Sequence, residues 1–181
     1  MKEAMNKGAI IDIKPQISSD NKGYTASELM QMDFPEPVWV VPNLLPQGLT
    51  LLCGKPKMGK SFLALNTALD LSSGSRVLGK IQINPIAVLY LALEDTYRRL
   101  KGRLSEMIFG ASAPENLYFY TQWDKVDQGG FEQLEDWLNQ HPDVKLVIID
   151  TFERFRPAQK KNLNMYFFLA IENEFHYYEA N

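Results

Sequence analysis

The chain has 181 residues, of which 45% are apolar and 23% are charged, and its formal net charge is −3. This is the composition of an ordinary soluble globular domain, and the slightly acidic balance excludes nucleic-acid binding that rests on overall charge alone. Cys53 is the single cysteine, which excludes an internal disulfide or a metal site of several cysteines.

The N-terminal segment, residues 1–36, has the pattern of an arm or linker. Its opening stretch MKEAMNKGAIIDIKPQ lacks the continuous apolar core of a signal peptide, and no stretch of the chain approaches the roughly 18 apolar residues of a membrane helix. We therefore expect a cytoplasmic protein without membrane contact. Thr25 and Glu28 have the spacing of a capping box, which predicts a short helix. The prolines in DFPEP end this segment.

Residues 37–162 alternate between apolar runs and segments of helical periodicity. The predicted strands are Leu49–Cys53, Ile86–Ala92, Leu117–Thr121 and Leu146–Asp150. The predicted helices are 61–71, a helix that Asp95 caps and Gly110 ends, and 131–139. This alternation predicts an α/β fold in which helices flank a mostly parallel sheet.

A phosphate-loop motif lies between the first of these strands and the first of these helices. Residues 54–61 read GKPKMGKS, which fits G-x-x-x-x-G-K-[ST] at every fixed position, in the strand–loop–helix context that the motif requires. The glycines let successive N–H groups face the phosphates, Lys60 can reach the β and γ phosphates, and Ser61 can bind Mg²⁺. The predicted nucleotide contacts are Gly54, Lys55, Pro56, Lys57, Met58, Gly59, Lys60, Ser61 and Phe62.

Two carboxylates follow predicted strands and are candidates for the chemistry of a nucleotide. Asp150 ends an apolar strand and has the place of the acid that holds Mg²⁺. Glu94 follows another strand and could orient or deprotonate the attacking water. Each residue has a simpler interpretation: Asp150 as a helix cap or a solvated strand end, and Glu94 as a solvated residue of a first helical turn.

Together these motifs resemble the RecA-like P-loop ATPases (AAA family ATPases in the broad sense), most closely the branch of the hexameric replicative helicase RepA. The resemblance lies in VWVVPNLLPQGLTLLCGKPKMGKSFLALNTALDLSSG, VLYLALEDTYRRLKGRL and KLVIIDTFERFRP. It implies a RecA-like fold with ATP and Mg²⁺ as ligands. It assigns phosphate contact to Lys60, metal contact to Ser61 and Asp150, and catalysis to Glu94 together with Lys60. It also implies ATP hydrolysis, a homo-oligomeric ring and single-stranded DNA as a track.

The C-terminal part of the chain departs from this family. In RecA-like folds a further parallel strand, which carries a residue that senses the γ-phosphate, lies between the acid-tipped strand and the phosphate-loop strand. Here residues 151–162 are predicted as loop, and residues 163–181 as an atypical aromatic-rich tail. We favour a helix over 163–180, because the ENE stretch breaks strand alternation. The alternative is a strand over Met165–Ile171. If a helix forms, the RecA-like sheet is incomplete at its C-terminus.

Two groups of basic residues are candidates for contact with an anionic partner. In the resembling helicases, loops after the acid-tipped strand face the DNA channel; solvated loop charge is the alternative. The candidate DNA contacts are Arg154, Arg156, Lys160 and Lys161. The second group is predicted to form the polar face of a helix, and it comprises Arg98, Arg99, Lys101 and Arg103.

Three functions remain open at this point. The first is ATP binding and hydrolysis by a motor related to DNA helicases and replication ATPases. The second is a nucleotide-binding module with little turnover, because the sensor strand and the arginine that acts on a neighbouring subunit are missing; such an arginine contributes about 10³–10⁵ in rate. The third is a small-molecule kinase, against which the absence of an arginine-rich lid counts.

Overall fold

The computed structural model of the chain describes residues 23–157 and 165–170. The chain divides into two compact units, residues 1–36 and 37–181. In the first unit, Ala26–Leu29 forms helix α1. The predicted capping box is confirmed: the Glu28 N–H donates to Thr25 Oγ1 (3.2 Å), and the Thr25 N–H donates to Glu28 Oε2 (2.8 Å). These bonds favour the charged carboxylate and lower the pKa of Glu28.

The second unit is built around a five-stranded sheet with helices on both faces. Its strands are β1 (Trp39–Val41), β2 (Leu45–Pro46), β3 (Gly48–Cys53), β4 (Arg76–Val77), β5 (Ile81–Gln82), β6 (Ala87–Ala92), β7 (Leu117–Tyr120), β8 (Val144–Asp150) and β9 (Met165–Ala170). Its α-helices are α2 (Lys60–Ser73), α3 (Tyr97–Ile108), α4 (Gly130–Gln140) and α5 (Phe152–Phe155), and a 3₁₀ turn spans Val126–Gln128.

The large sheet has the strand order β3-β9-β8-β6-β7. Strands β7, β6 and β8 are parallel to one another, as predicted, whereas β9 is antiparallel to both of its neighbours. All six residues of β6 are buried, because helices cover both faces of the sheet, and this explains its uninterrupted apolar sequence. The carboxyl ends of β6 and β8 meet at one edge, where Ala92 pairs with Asp150.

Alternate residues of these strands fill two separate core layers. One layer packs Val88, Tyr90 and Ile148 beneath helix α2. The other packs Leu89 and Ile149 beneath helix α4, together with other buried side chains. The period of two along each strand places successive side chains on opposite faces. The result is a three-layer α/β arrangement, and it holds the end of β3 and the start of α2 beside the ends of β6 and β8.

The predicted helix over 163–180 is wrong for residues 165–170, which form strand β9. The alternative strand is confirmed over that range, but it runs antiparallel rather than parallel. The physical reason is non-local: β9 lies between β3 and β8, and it supplies partners for backbone groups of both strands that would otherwise be unpaired. An antiparallel strand also needs no long crossover after β8. The remainder of the predicted tail lies outside the described residues.

Two smaller predictions around the sheet are also corrected. Helix α3 is capped by Thr96, whose Oγ1 accepts the Arg99 N–H at 3.3 Å, and not by Asp95, whose carboxylate forms ion pairs with arginines. Within the predicted loop 151–162, residues 152–155 form helix α5, because Phe155 is fully buried in the α4-side core. Within residues 23–157 and 165–170, no helix has both the length and the apolarity that crossing a membrane requires.

Candidate functional site

The phosphate loop, residues 54–61, joins β3 to α2 and has the backbone conformation of a tight turn. Gly59 is the N-cap of α2 with φ +81°, in the left-handed region that favours glycine. Lys57 also has a positive φ of +63°. Helix α2 is 14 residues long and has no side-chain cap at Gly59. Its first N–H groups and the positive end of its dipole therefore suit an anion at this position.

Lys60 is the buried cation of the loop, with 8% of its surface exposed. Its Nζ donates to the carbonyl oxygens of Gly54 (2.8 Å) and Lys55 (2.7 Å), as a buried ammonium requires. Pro56, Met58 and Phe62, by contrast, are exposed. Above the loop lies a cavity of about 310 Å³, here called the loop depression, which is lined by Lys57, Met58, Gly59, Lys60, Ser61, Phe62 and Arg103.

Ser61 and Asp150 are brought into contact at the edge of the sheet, although 89 residues separate them along the chain. The Ser61 Oγ donates to Asp150 Oδ1 at 3.3 Å. The hydroxyl of the buried Tyr90 donates to Asp150 Oδ2 at 2.8 Å. Both carboxylate oxygens of Asp150 are therefore oriented by neighbouring hydroxyl groups, and Asp150 is fixed beside the start of α2.

Burial raises the pKa of Asp150 above its ordinary value, because the charged form loses its hydration. The hydrogen bonds from Tyr90 and Ser61 act against this rise, the charge of Glu94 adds to it, and the charge of Arg103 opposes it. A divalent cation would relieve the same desolvation. Mg²⁺ takes oxygen ligands and commonly binds through one or two protein groups together with substrate phosphates. The Ser61 hydroxyl and the Asp150 carboxylate fit that requirement.

We predict that Asp150→Asn stabilises the metal-free chain at neutral pH, because the uncharged amide loses less hydration on burial than the charged carboxylate. Because its pKa is higher in the folded chain, Asp150 binds protons more readily there than in the unfolded chain. Protonation of Asp150 at low pH therefore favours the folded chain, and this contribution to the free energy of unfolding is lost as the pH rises through the folded-state pKa. The gain from the substitution should therefore shrink on acidification. Urea unfolding of both proteins with a chelator, across a pH series, measures it. A variant that is less stable at neutral pH would contradict the prediction.

Glu94 follows β6 and lies in the same region as Ser61 and Asp150. Its Oε1 accepts a hydrogen bond from Thr151 Oγ1 (3.1 Å) and pairs with Arg154 Nε (3.4 Å). The Glu94 side chain remains 45% exposed. It borders a cavity of about 90 Å³, here called the carboxylate recess, whose lining is Ser61, Glu94, Asp95, Arg99, Arg103 and Asp150. Of the predicted metal and catalytic residues, Ser61, Asp150 and Glu94 thus share one recess, whereas Lys60 lines the loop depression.

The candidate DNA contacts that the structure describes differ in how exposed they are. Arg154 is 64% exposed and pairs with Glu94, whereas Arg156 is 14% exposed and donates to Glu153 Oε2 from its Nε at 2.8 Å. Of these two, Arg154 offers the more accessible guanidinium. Lys160 and Lys161 lie outside the described residues.

Three residues of the site were not assigned to it from the sequence. Tyr90 lies inside an apolar strand, and its only signal was that a buried tyrosine hydroxyl needs a partner. Asp95 was predicted as a helix cap, yet it pairs with Arg99 Nε (3.0 Å) and Arg103 Nη1 (2.7 Å). Arg103 was assigned to a polar helix face, although it lines both cavities. The four-residue spacing of Asp95 and Arg99 was a readable signal.

A comparison with models of protein families shows which family the chain is similar to. A family model described as an AAA domain matches residues 20–165, a span that includes the phosphate loop, Glu94 and Asp150. No curated protein and no solved structure matches the chain. The α/β sheet with its flanking helices fits a P-loop fold. Because the match covers far more than half of the sequence, the chain belongs to the AAA domain family of P-loop ATPases.

Proposed function

We propose that this chain binds ATP with Mg²⁺ and hydrolyses it, as a RecA-like domain related to DNA helicase and replication ATPases. One observation supports the proposal most strongly. The hydroxyl of the phosphate-loop Ser61 lies 3.3 Å from the carboxylate of Asp150, with Glu94 in the same recess. Phosphoryl transfer to water uses three such parts: a phosphate loop, an acidic residue that holds Mg²⁺, and a second carboxylate that positions the attacking water.

Each of these residues has a defined role in the proposal. The N–H groups of the phosphate loop hold the phosphates, and Lys60 moves its ammonium from the carbonyls of Gly54 and Lys55 to the β and γ phosphates. Ser61 and Asp150 would hold Mg²⁺, and the bound ion would neutralise charge on the phosphate oxygens. Tyr90 keeps the Asp150 carboxylate oriented towards Ser61.

Glu94 is the residue that orients the attacking water and accepts its proton. Its exposed carboxylate borders the carboxylate recess, and Thr151 fixes one oxygen by a hydrogen bond. The second oxygen is the one that we assign to water. The pairing of Oε1 with Arg154 holds the side chain in place at this edge of the sheet.

The RecA-like assignment is supported by the strand order, in which one strand, β9, lies between the phosphate-loop strand β3 and the acid-tipped strand β8. A homo-oligomeric ring and single-stranded DNA are the partners that the family resemblance suggests. For DNA, the accessible guanidinium of Arg154 is the strongest candidate contact. Binding to a labelled single-stranded oligonucleotide at about 50 mM salt, weakened steeply by added salt, would support it, and no binding at that salt would exclude it.

The direction of β9 favours a second candidate function, a nucleotide-binding module with slow turnover. In RecA-like folds the corresponding strand is parallel to its neighbours, and its polar sensor residue faces the γ-phosphate. Here β9 begins at Met165 opposite Cys53, beside the phosphate loop, and ends at Ala170 opposite Gly48. A sensor at the carboxyl end of this strand would therefore lie at the far edge of the sheet.

Phosphate release from ATP, measured with and without Mg²⁺ and with and without single-stranded DNA, distinguishes the two functions. Mg²⁺-dependent turnover that DNA stimulates supports the motor. Saturable ATP binding with no turnover above that of Lys60→Ala supports the slow module. Phosphate transfer to a small acceptor instead of water would contradict both and would indicate a kinase.

A further inference from the structure

Arg103 is anchored on helix α3 so that its guanidinium faces the site. Its Nη1 donates to Asp95 Oδ2 at 2.7 Å, and the Asp95 side chain is itself only 7% exposed. Asp95 is held from two other directions, because its Oδ1 accepts the Thr96 N–H (2.8 Å) and pairs with Arg99 Nε (3.0 Å). A guanidinium carries five N–H donors in a fixed fork, so a single bond to Asp95 fixes its direction without using its remaining donors.

The same side chain borders both cavities of the site. It lines the loop depression together with Lys57–Phe62, and it lines the carboxylate recess together with Ser61, Glu94 and Asp150. Its side chain is 34% exposed, so the guanidinium is accessible to a ligand that enters from solvent. Arg103 and Ser61 line both cavities, which places Arg103 where the two cavities meet.

The position of a bound triphosphate follows from the loop. The phosphate loop would hold the α and β phosphates, and Ser61 with Asp150 would hold the Mg²⁺ that neutralises charge on the phosphate oxygens. A γ-phosphate beyond them would therefore extend past Ser61 towards Asp150 and Glu94, into the carboxylate recess. Three carboxylates line that recess, namely Glu94, Asp95 and Asp150. A phosphate group that enters the carboxylate recess needs positive charge close to it. Lys60 and a metal would supply that charge from the side of the phosphate loop, but not from the side of helix α3.

We propose that Arg103 contacts the γ-phosphate of ATP bound to the same chain and so makes the site discriminate ATP from ADP, with Asp95 as the residue that positions it. This inference rests on the proposed nucleotide-binding function and names the group that recognises the terminal phosphate. Arg103 thus supplies within one chain a charge that a neighbouring subunit supplies in related rings. An arginine fork suits this contact because it matches phosphate oxygens in geometry and charge.

The test compares the affinities for ATP and ADP, each with Mg²⁺, in the full chain and its variants by calorimetry. For Arg103→Gln we expect ATP affinity to fall by about ten-fold or more, and ADP affinity to change by less than about two-fold, because a charge-assisted hydrogen bond to the γ-phosphate is lost. The matched control is Lys101→Gln, which makes the same charge change at an exposed position of the same helix. It should leave both affinities unchanged.

A second substitution separates phosphate contact from a purely structural role. Arg99→Gln also removes a partner of Asp95, but the Arg99 side chain is 60% exposed and lines only the carboxylate recess, not the loop depression, so we expect a smaller loss of the preference for ATP than in Arg103→Gln. If Arg103 only stabilised Asp95, both variants would weaken ATP and ADP alike, which would overturn the proposal. Unchanged ATP affinity in Arg103→Gln would also overturn it.

A further variant and the behaviour of the wild-type chain cover the cases in which Arg103→Gln alone gives no answer. Should Arg103→Gln not fold, Arg103→Lys retains the charge without the fork, and it should lose part of the preference for ATP over ADP; full retention of that preference would overturn the proposal. Failure of the wild-type chain to bind either nucleotide would instead overturn the proposed function itself. Binding of both nucleotides with a preference that does not depend on Arg103 overturns only this inference.

Discussion

Replacing Lys60 with alanine is expected to weaken ATP binding by at least about a hundred-fold. In the proposed function the ammonium makes charge-assisted contacts to the β and γ phosphates, each contributing about 1.5–3 kcal/mol, and a tenfold change in affinity corresponds to about 1.4 kcal/mol. In the nucleotide-free chain the same group closes the loop by donating to Gly54 and Lys55. Its loss therefore removes both a phosphate ligand and a contact that shapes the loop.

Equilibrium titration of ATP·Mg²⁺ into both proteins measures the effect of Lys60→Ala, and circular dichroism shows whether each is folded. The matched control is Lys80→Ala, which removes an exposed cation at a position outside both cavities of the site. We expect this control to bind ATP within about three-fold of wild type, as for a screened surface charge. A folded Lys60→Ala chain with the affinity of wild type would show that the loop does not bind phosphate.

Glu94→Gln is expected to lower ATP turnover by about 10²–10⁴-fold, the usual contribution of a positioned general base. ATP affinity should change little, because in the proposed function Glu94 contacts the attacking water rather than a phosphate. The amide can still accept the hydrogen bond from Thr151, so the local geometry is preserved. The ion pair with Arg154 is exposed on both sides, and its loss should have little effect on stability.

Single-turnover hydrolysis and ATP titration, performed on the same preparation, separate the two effects of Glu94→Gln. Glu106→Gln is the control, since it removes an exposed carboxylate from helix α3 at a position outside both cavities. Turnover of Glu94→Gln equal to that of the control would show that another residue activates the water. An equal loss of binding and turnover would show that Glu94 acts on nucleotide binding instead.

Local sequence patterns predict the phosphate loop and the elements on either side of it well. The phosphate loop has a fixed spacing, and the strand before it and the helix after it both have clear periodicity. The meeting of Ser61 with Asp150 follows from a general property of parallel sheets, whose carboxyl ends lie at one edge. That property also brings Glu94 to the same edge.

Strand β9 shows why the rest could not be predicted in the same way. The ENE stretch favoured a helix, but the strand is specified by two partners, β3 and β8, that are distant in sequence. Backbone pairing on both sides outweighs a local preference, since β-propensity depends strongly on context. The local pattern left a strand over Met165–Ile171 open as an alternative, but it gave no indication that the strand is antiparallel to both neighbours.

Arg103 was missed for a related reason. On a helix with other basic residues, a charged side chain at this position has the pattern of a solvated face. Its partner Asp95 precedes the helix by two residues and is eight residues away in sequence. Asp95 is turned towards Arg103 by the path of the chain between β6 and α3. The periodicity of the sequence does not predict that path.

The most direct measurement of the central claim is a calorimetric titration of ATP into the purified wild-type chain, with Mg²⁺ and with a chelator. We predict saturable binding of one ATP per chain that Mg²⁺ strengthens, and loss of the Mg²⁺ effect in Asp150→Asn, because in the proposed function Ser61 and Asp150 together hold the metal. Absence of saturable ATP binding by a folded chain would contradict the account. It would mean that the phosphate loop between β3 and α2 has the geometry of a nucleotide site without its function.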